Sequence, residues 1–167
     1  HSTTYPYLSV TENIFIGHEK RNRLGLINWK TMHQRAKELL ASLGSDIDPH
    51  TLMGNLSVAE QQIVEISKAV SANADIMIMD EPTAALSKRE CEELYRITEQ
   101  LRNEGKSILF ISHRLEDMYR LADRVTVFRD AAYIGTWDIG EVTNDILLRA
   151  MVGREIKDLY PKKKVPL

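Results

Sequence analysis

Hydrophobic and polar positions along the 167-residue chain change their spacing near residue 75. The first 27 residues are poorly periodic, apart from a short apolar patch at Asn13-Ile14-Phe15-Ile16. From there the spacing turns helical. Trp29, Met32, Ala36, Leu39, Leu40 and Leu43 fall on one stripe, with Asn28 in place to cap it and Gly44 to end it in the left-handed conformation. A loop rich in Asp, Pro, His and Gly occupies 45–55. A second helix is predicted from Ser57, carrying Ala59, Ile63, Ile66 and Val70 on its inward face.

Past Asp75 the pattern becomes strand, helix, strand. Ile76-Met77-Ile78-Met79 and Ser107-Ile108-Leu109-Phe110-Ile111 are apolar runs without polar alternation, the pattern of strands buried on both faces. Between them Ser87 opens a helix with Cys91, Leu94, Ile97 and Leu101 inward and Gly105 at its end. Leu115, Met118, Tyr119 and Ala122 mark a short helix, 125–128 and 133–137 two further strands. Thr143 caps a last helix with Ile146, Leu147, Ala150 and Met151 inward and Gly153 after it. Strands joined through crossover helices predict a parallel sheet. Ala131 stands after Asp130 where glycine would favour a tight hairpin, so a longer or strained turn is expected there.

Composition narrows the function. A hydrophobic fraction of 43% and a charged fraction of 28% are those of a globular domain with a real core. The formal net charge of −2 provides no global basic field for nucleic acid. The single cysteine, Cys91, excludes an internal disulfide framework. No apolar run approaches the roughly 20 residues of a membrane span. The lysine run 162–164 reads as a solvated tail.

The chemistry-bearing residues follow the strands. Asp80 and Glu81 emerge together where the first apolar run ends, at the strand end where open α/β sheets place their ligands. Asp80 is suited to hold magnesium through water, and Glu81 to orient or deprotonate a water attacking a phosphate. His113 follows the second run through Ser112 at the same edge; it is read either as a phosphate-contacting imidazole or as an exposed residue at a helix start. Ser57-Val58-Ala59-Glu60 has the form of a capping box, and a helix start of this kind is also an anion site, although Glu60 would repel a phosphate. Ser87-Lys88-Arg89-Glu90 is a second capping box. No G-x-x-x-x-G-K-[ST] loop occurs in the 167 residues, nor any zinc spacing, G-x-S-x-G or dinucleotide fingerprint.

Taken together, three segments resemble those of ABC transporter ATPases. Leu56-Ser57-Val58-Ala59-Glu60-Gln61-Gln62 resembles their signature motif. Ile76-Met77-Ile78-Met79-Asp80-Glu81-Pro82-Thr83 is similar to their Walker B strand with its catalytic glutamate, and Ile111-Ser112-His113 to their switch histidine. Segments 11–17, 125–130 and 151–154 are similar to the first half of the tandem ATPases of bacterial sugar importers. The resemblance implies an α/β fold: a partial P-loop NTPase core with a parallel sheet plus a helical signature subdomain. It divides the chain into a helical subdomain at 1–72, the later half of the ATPase core at 73–153 and a linker toward a second nucleotide-binding domain at 154–167.

The resemblance further implies a fragment of the ATP-hydrolysing subunit of a bacterial sugar importer, with the P-loop half lying before residue 1. These residues alone would then bind ATP weakly or not at all. By motif, Asp80 takes the Mg2+ role and Glu81 the general-base role, His113 contacts the γ-phosphate, and Ser57, Val58, Ala59 and Glu60 reach ATP held by the opposite domain. Implied partners are transmembrane permease subunits, the second nucleotide-binding domain and, indirectly, a periplasmic or extracellular sugar-binding protein. The implied location is peripheral, on the cytoplasmic face of the plasma membrane. Ala59 stands where the family usually has glycine, Glu60 where it has glutamine, and Ser87 where aspartate is common. Three alternatives are weighed: an ABC-type ATPase of DNA repair or chromosome maintenance, which should show coiled-coil heptads or a basic groove; a nucleic-acid helicase, suggested by Asp80-Glu81 alone, which would not have the segment 56–62 at this distance upstream; and an inactive structural fragment.

Overall fold

The computed structural model describes residues 4–153. The expected linker at 154–167, with its lysines, lies outside the described residues. Elements run α1 (Val10–Phe15), α2 (Trp29–Ser42), a 3-10 turn (Met53–Asn55), α3 (Val58–Ser71), β1 (Ile76–Asp80), α4 (Lys88–Asn103), β2 (Ser107–Ile111), α5 (Leu115–Leu121), β3 (Arg124–Arg129), β4 (Ala132–Asp138) and α6 (Asn144–Val152). The chain divides after Ile111 into two compact units. No helix among the described residues is long and apolar enough to cross a membrane.

In the first unit, α1, α2 and α3 enclose a core of Val10, Ile14, Phe15, Met32, Ala36, Leu40, Met53 and Val64. Helix α1 arises in the stretch without periodicity. It exists because Ser9 and Glu12 close a capping box, Ser9 Oγ accepting from the Glu12 amide and the Glu12 carboxylate accepting from the Ser9 amide at 2.7 Å. Helix α2 starts on Asn28, whose side chain accepts from the Thr31 amide. Its predicted stripe holds at Met32, Ala36, Leu40 and Leu43, but Trp29 is exposed at the first turn. In α3 the predicted stripe holds: Ile66 is buried, and Ile63 and Val70 are half-buried against the core. Val64 and Ser67 are buried as well, which widens the inward face, with Val64 in the cluster of α1 and α2 and Ile66 in that of α4.

Strands β1 and β2 pair in parallel, with Ile76 opposite Ser107 and Asp80 opposite Ile111. One sheet face, carrying Met77, Met79, Ile108 and Phe110, packs on Leu94, Ile97 and Leu101 of α4. The expected burial of both faces is corrected here. Ile76, Ile78, Leu109 and Ile111 are 69%, 68%, 55% and 44% exposed. The reason is the layer structure: among the described residues the sheet has helix on one side only, so an apolar run alternates between core and solvent like any strand.

Helix α4 also holds the C-terminus of α2. Arg96 Nη2 donates to the Leu43 carbonyl and Gln100 Nε2 to that of Ser42, while Glu93 braces the guanidinium at 2.7 Å. These are among the last carbonyls of a helix, which have no partner within it. Gly44 follows with φ +81, and a Cβ there would collide with the Arg96 guanidinium.

In the second unit, β3 and β4 form an antiparallel hairpin over α6, with Val125, Val127, Val142, Leu147 and Ala150 as its core. The hairpin forms its own two-stranded sheet, separate from the parallel pair in hydrogen bonding. Its two-residue turn uses Asp130 (φ +52) and Ala131 (φ +61), so the expected strain is found in a tight turn rather than a longer one. Leu147 and Ala150 face inward on α6 as predicted, whereas Ile146 is 42% exposed.

Candidate functional site

The end of β1 carries the acidic pair. Asp80 is its last residue and is exposed; Glu81 follows at once and is half-buried, with its Oε2 shielded from solvent. The Glu81 amide donates to the Ile111 carbonyl at 2.9 Å, extending the parallel ladder one residue past β1 and tying both strand ends together. The Glu81 backbone is left-handed, φ +48. A non-glycine residue there is strained, by about 1 kcal/mol or more, and such strain concentrates where a side chain must be aimed. Pro82 and Thr83 behind it are buried, and a turn closes through Ala84 N to Glu81 O and Leu86 N to Thr83 O. Asp80 also lines a cavity of about 350 Å3 between α3 and β1, with Gln62 and Glu65 on the opposite wall.

The start of α3 presents a second group of polar atoms. Ser57 is the N-cap and is exposed; its Oγ accepts from the Glu60 amide at 3.3 Å and its amide donates to Glu60 Oε2 at 2.8 Å. Glu60 therefore spends one carboxylate oxygen on the cap. The amides of Val58 and Ala59, at the first two helical positions, have no acceptor within the helix and point beyond its positive end. Gln61 Nε2 donates to the Leu56 carbonyl at 3.0 Å and so fixes the approach to the cap.

His113 is the second residue of the second unit, two residues past the end of β2, and is exposed. Its neighbours fix the local backbone. Ser112 Oγ donates to the fully buried Asp117 at 2.6 Å and accepts from the Arg114 amide at 3.0 Å. Arg114 also faces Asp117 at 3.9 Å. Asp117 was not among the residues singled out by sequence. Its signal was faint: an acidic residue in the first turn of a short helix after Ser-His-Arg.

The family model described as ABC transporter matches residues 1–84, half of the chain. The chain belongs to the ABC transporter family. This ABC chain is 50% identical over 160 residues to ribose import ATP-binding protein RbsA 1 of Rhizobium meliloti (strain 1021), covering 96% of the chain and 32% of that protein. It is 47% identical over 160 residues to the protein of the same name in Agrobacterium fabrum, covering 96% and 31%. It thus spans about a third of the length of the curated relatives it matches. Among solved structures, an ATP-binding cassette of an ABC transporter superposes with a TM-score of 0.75 at 22% identity, covering 92% of the chain and 65% of the other. A nucleotide-free ATP-binding cassette gives 0.73 at 20%, covering 96% and 66%. These likenesses show the fold: the α/β fold of an ATP-binding cassette, present here as helices with a parallel strand pair.

Proposed function

We propose that this chain is part of the ATP-hydrolysing subunit of a bacterial ABC importer for a sugar. One observation carries the reading: half of its residues, across nearly its whole length, are identical to those of a protein named for ribose import and ATP binding. The acidic pair at the tip of β1 supports it.

In this reading Glu81 is the general base, orienting and deprotonating the water that attacks the terminal phosphate. Its left-handed backbone and its tie to the β2 tip hold the carboxylate in one direction. Asp80 fits a magnesium site: an exposed, hard carboxylate oxygen donor at a strand end, where one carboxylate together with substrate phosphates suffices. Bound magnesium would supply charge neutralisation to the phosphates. His113 donates to a γ-phosphate oxygen. Ser57, Val58 and Ala59 receive the phosphates of ATP held by the opposite domain, through the two first-turn amides and the serine hydroxyl. Glu60 keeps its negative charge, and the capping box turns its Oε2 back onto the Ser57 amide at the edge of that anion site.

The domain layout proposed is a helical subdomain at 1–72, the later half of the ATPase core at 73–153 and a linker at 154–167. The partners proposed are membrane permease subunits, a second nucleotide-binding domain and, through them, a sugar-binding protein. The site of action is the cytoplasmic face of the plasma membrane. Mutagenesis of the complete protein tests the reading. Glu81→Gln should leave ATP affinity intact and cut turnover by about 10²-fold or more, the scale of a positioned general base. Undiminished turnover would remove Glu81 from that role.

A further inference from the structure

Helix α2 and the loop before the 3-10 turn bring two histidines together. The rings of His33 and His50 lie with centroids 3.9 Å apart, inclined by 31°, and Trp29 stacks on the outer side of His33 at 6.1 Å. Thr11 of α1 joins them. Its Oγ1 lies 2.8 Å from His33 Nδ1 and 3.0 Å from the Pro49 carbonyl. A carbonyl can only accept, so the single hydroxyl hydrogen of Thr11 goes to Pro49, and Thr11 Oγ1 accepts from His33 Nδ1–H. Neutral His33 is therefore the Nδ1–H tautomer, and Nε2 is the atom that takes a proton.

The same loop is fastened by main-chain bonds. Val10 N donates to Thr51 O, Thr11 N to Pro49 O and Met53 N to Leu8 O, all at 2.9–3.0 Å. This is the segment that runs on through Leu56 into Ser57.

We propose that the His33–His50 pair is a proton-operated fastener: neutral, it clamps residues 48–53 against α1 and α2; doubly protonated, it springs apart and loosens the segment leading into Ser57. The Thr11 bond survives protonation, because Nδ1 keeps its hydrogen in either state. The switch therefore acts through the stack, where two positive rings less than 4 Å apart repel.

The surrounding charges divide. Glu12 of α1 and Asp48 of the loop favour a charged His33; burial, the largest influence, and His50 oppose it. Lys30 and Lys37 line the same depression on α2, with Asp46 across from them. Glu12 is committed to its cap, where the Ser9 hydroxyl and amide hold its carboxyl below the ordinary range. The balance leaves His33 harder to protonate than a free histidine. The open loop then binds more protons than the closed one, so closure is fully favoured above the ordinary histidine range near pH 6.5 and weakens as pH falls through it. The device stands independently of any nucleotide role for Ser57.

Amide hydrogen exchange on the 167-residue chain tests it, with protection corrected for the intrinsic pH dependence of exchange. Between about pH 7.5 and 5.5, protection at Val10, Thr11 and Met53 should be lost progressively, because the open segment holds the proton more tightly than the closed one. Ile97 and Leu101 of α4 should hold theirs. His50→Gln removes the repelling ring and should leave the three amides better protected at about pH 5.5 than in the wild-type chain, with the burial of His33 still acting. His18, bonded to Ser71 at 2.8 Å, remains as an internal control, since any effect it causes would persist in that variant. Unchanged protection in the wild-type chain, or an equal loss in His50→Gln, would overturn the proposal. Should His50→Gln not fold, a ring titration of the wild-type chain decides. Protonation of His33 Nε2 in step with the amide losses supports the fastener; protonation without them overturns it.

Discussion

Ala131 and Glu81 both hold a left-handed backbone that ordinary side chains resist, and the two cases separate by what the side chain is for. Ala131 closes a two-residue hairpin and uses its methyl for nothing visible in the second unit, where it is exposed. Ala131→Gly should therefore stabilise the chain by about 1 kcal/mol, read as a higher urea midpoint with an unchanged slope. Glu81 bears the same kind of strain together with a carboxylate at the strand tips. The two positions were not equally legible. The missing glycine after Asp130 pointed to the first. The second was visible as an acidic residue after an apolar run, but its backbone is set by the tie to Ile111, a partner thirty residues away in sequence.

At the scale of elements, helix starts were the most readable feature, because a cap is local chemistry. Ser57 and Ser87 close their boxes as the spacing predicted. The same pattern at Ser9 and Glu12 was open to the same reading, but no apolar stripe followed it to draw attention. Thr143 differs: it stands at the N-cap of α6 without a side-chain hydrogen bond. Ser87→Ala should accordingly cost about 1 kcal/mol of stability, whereas Thr143→Ala should stay within a few tenths, both measured by urea denaturation. Burial was less legible than boundaries. The apolar runs at 76–79 and 107–111 state only that their side chains can be buried; which face is covered depends on a second layer, and here α4 supplies one side alone.

For the whole molecule, the motifs were legible as a set. An acidic pair after one strand, an imidazole after the next and a capped helix upstream are spaced along the chain, so sequence could present them; the family match and the superpositions bear out the family and the fold that this set pointed to. Left out of reach were features made by long-range packing, such as the burial of Val64 and Ser67 on α3 and the histidine stack between α2 and the loop that carries His50. The 167 residues contain no lysine-bearing phosphate loop. Calorimetric titration of this chain with Mg-ATP should therefore show no micromolar binding, and a micromolar affinity would place a phosphate cradle somewhere the motifs do not mark.

The grip of Arg96 and Gln100 on the end of α2 has a mechanical consequence. A tilt imposed on α2 would load α4 through these two bonds, and α4 packs on the face of the strand that leads into Glu81.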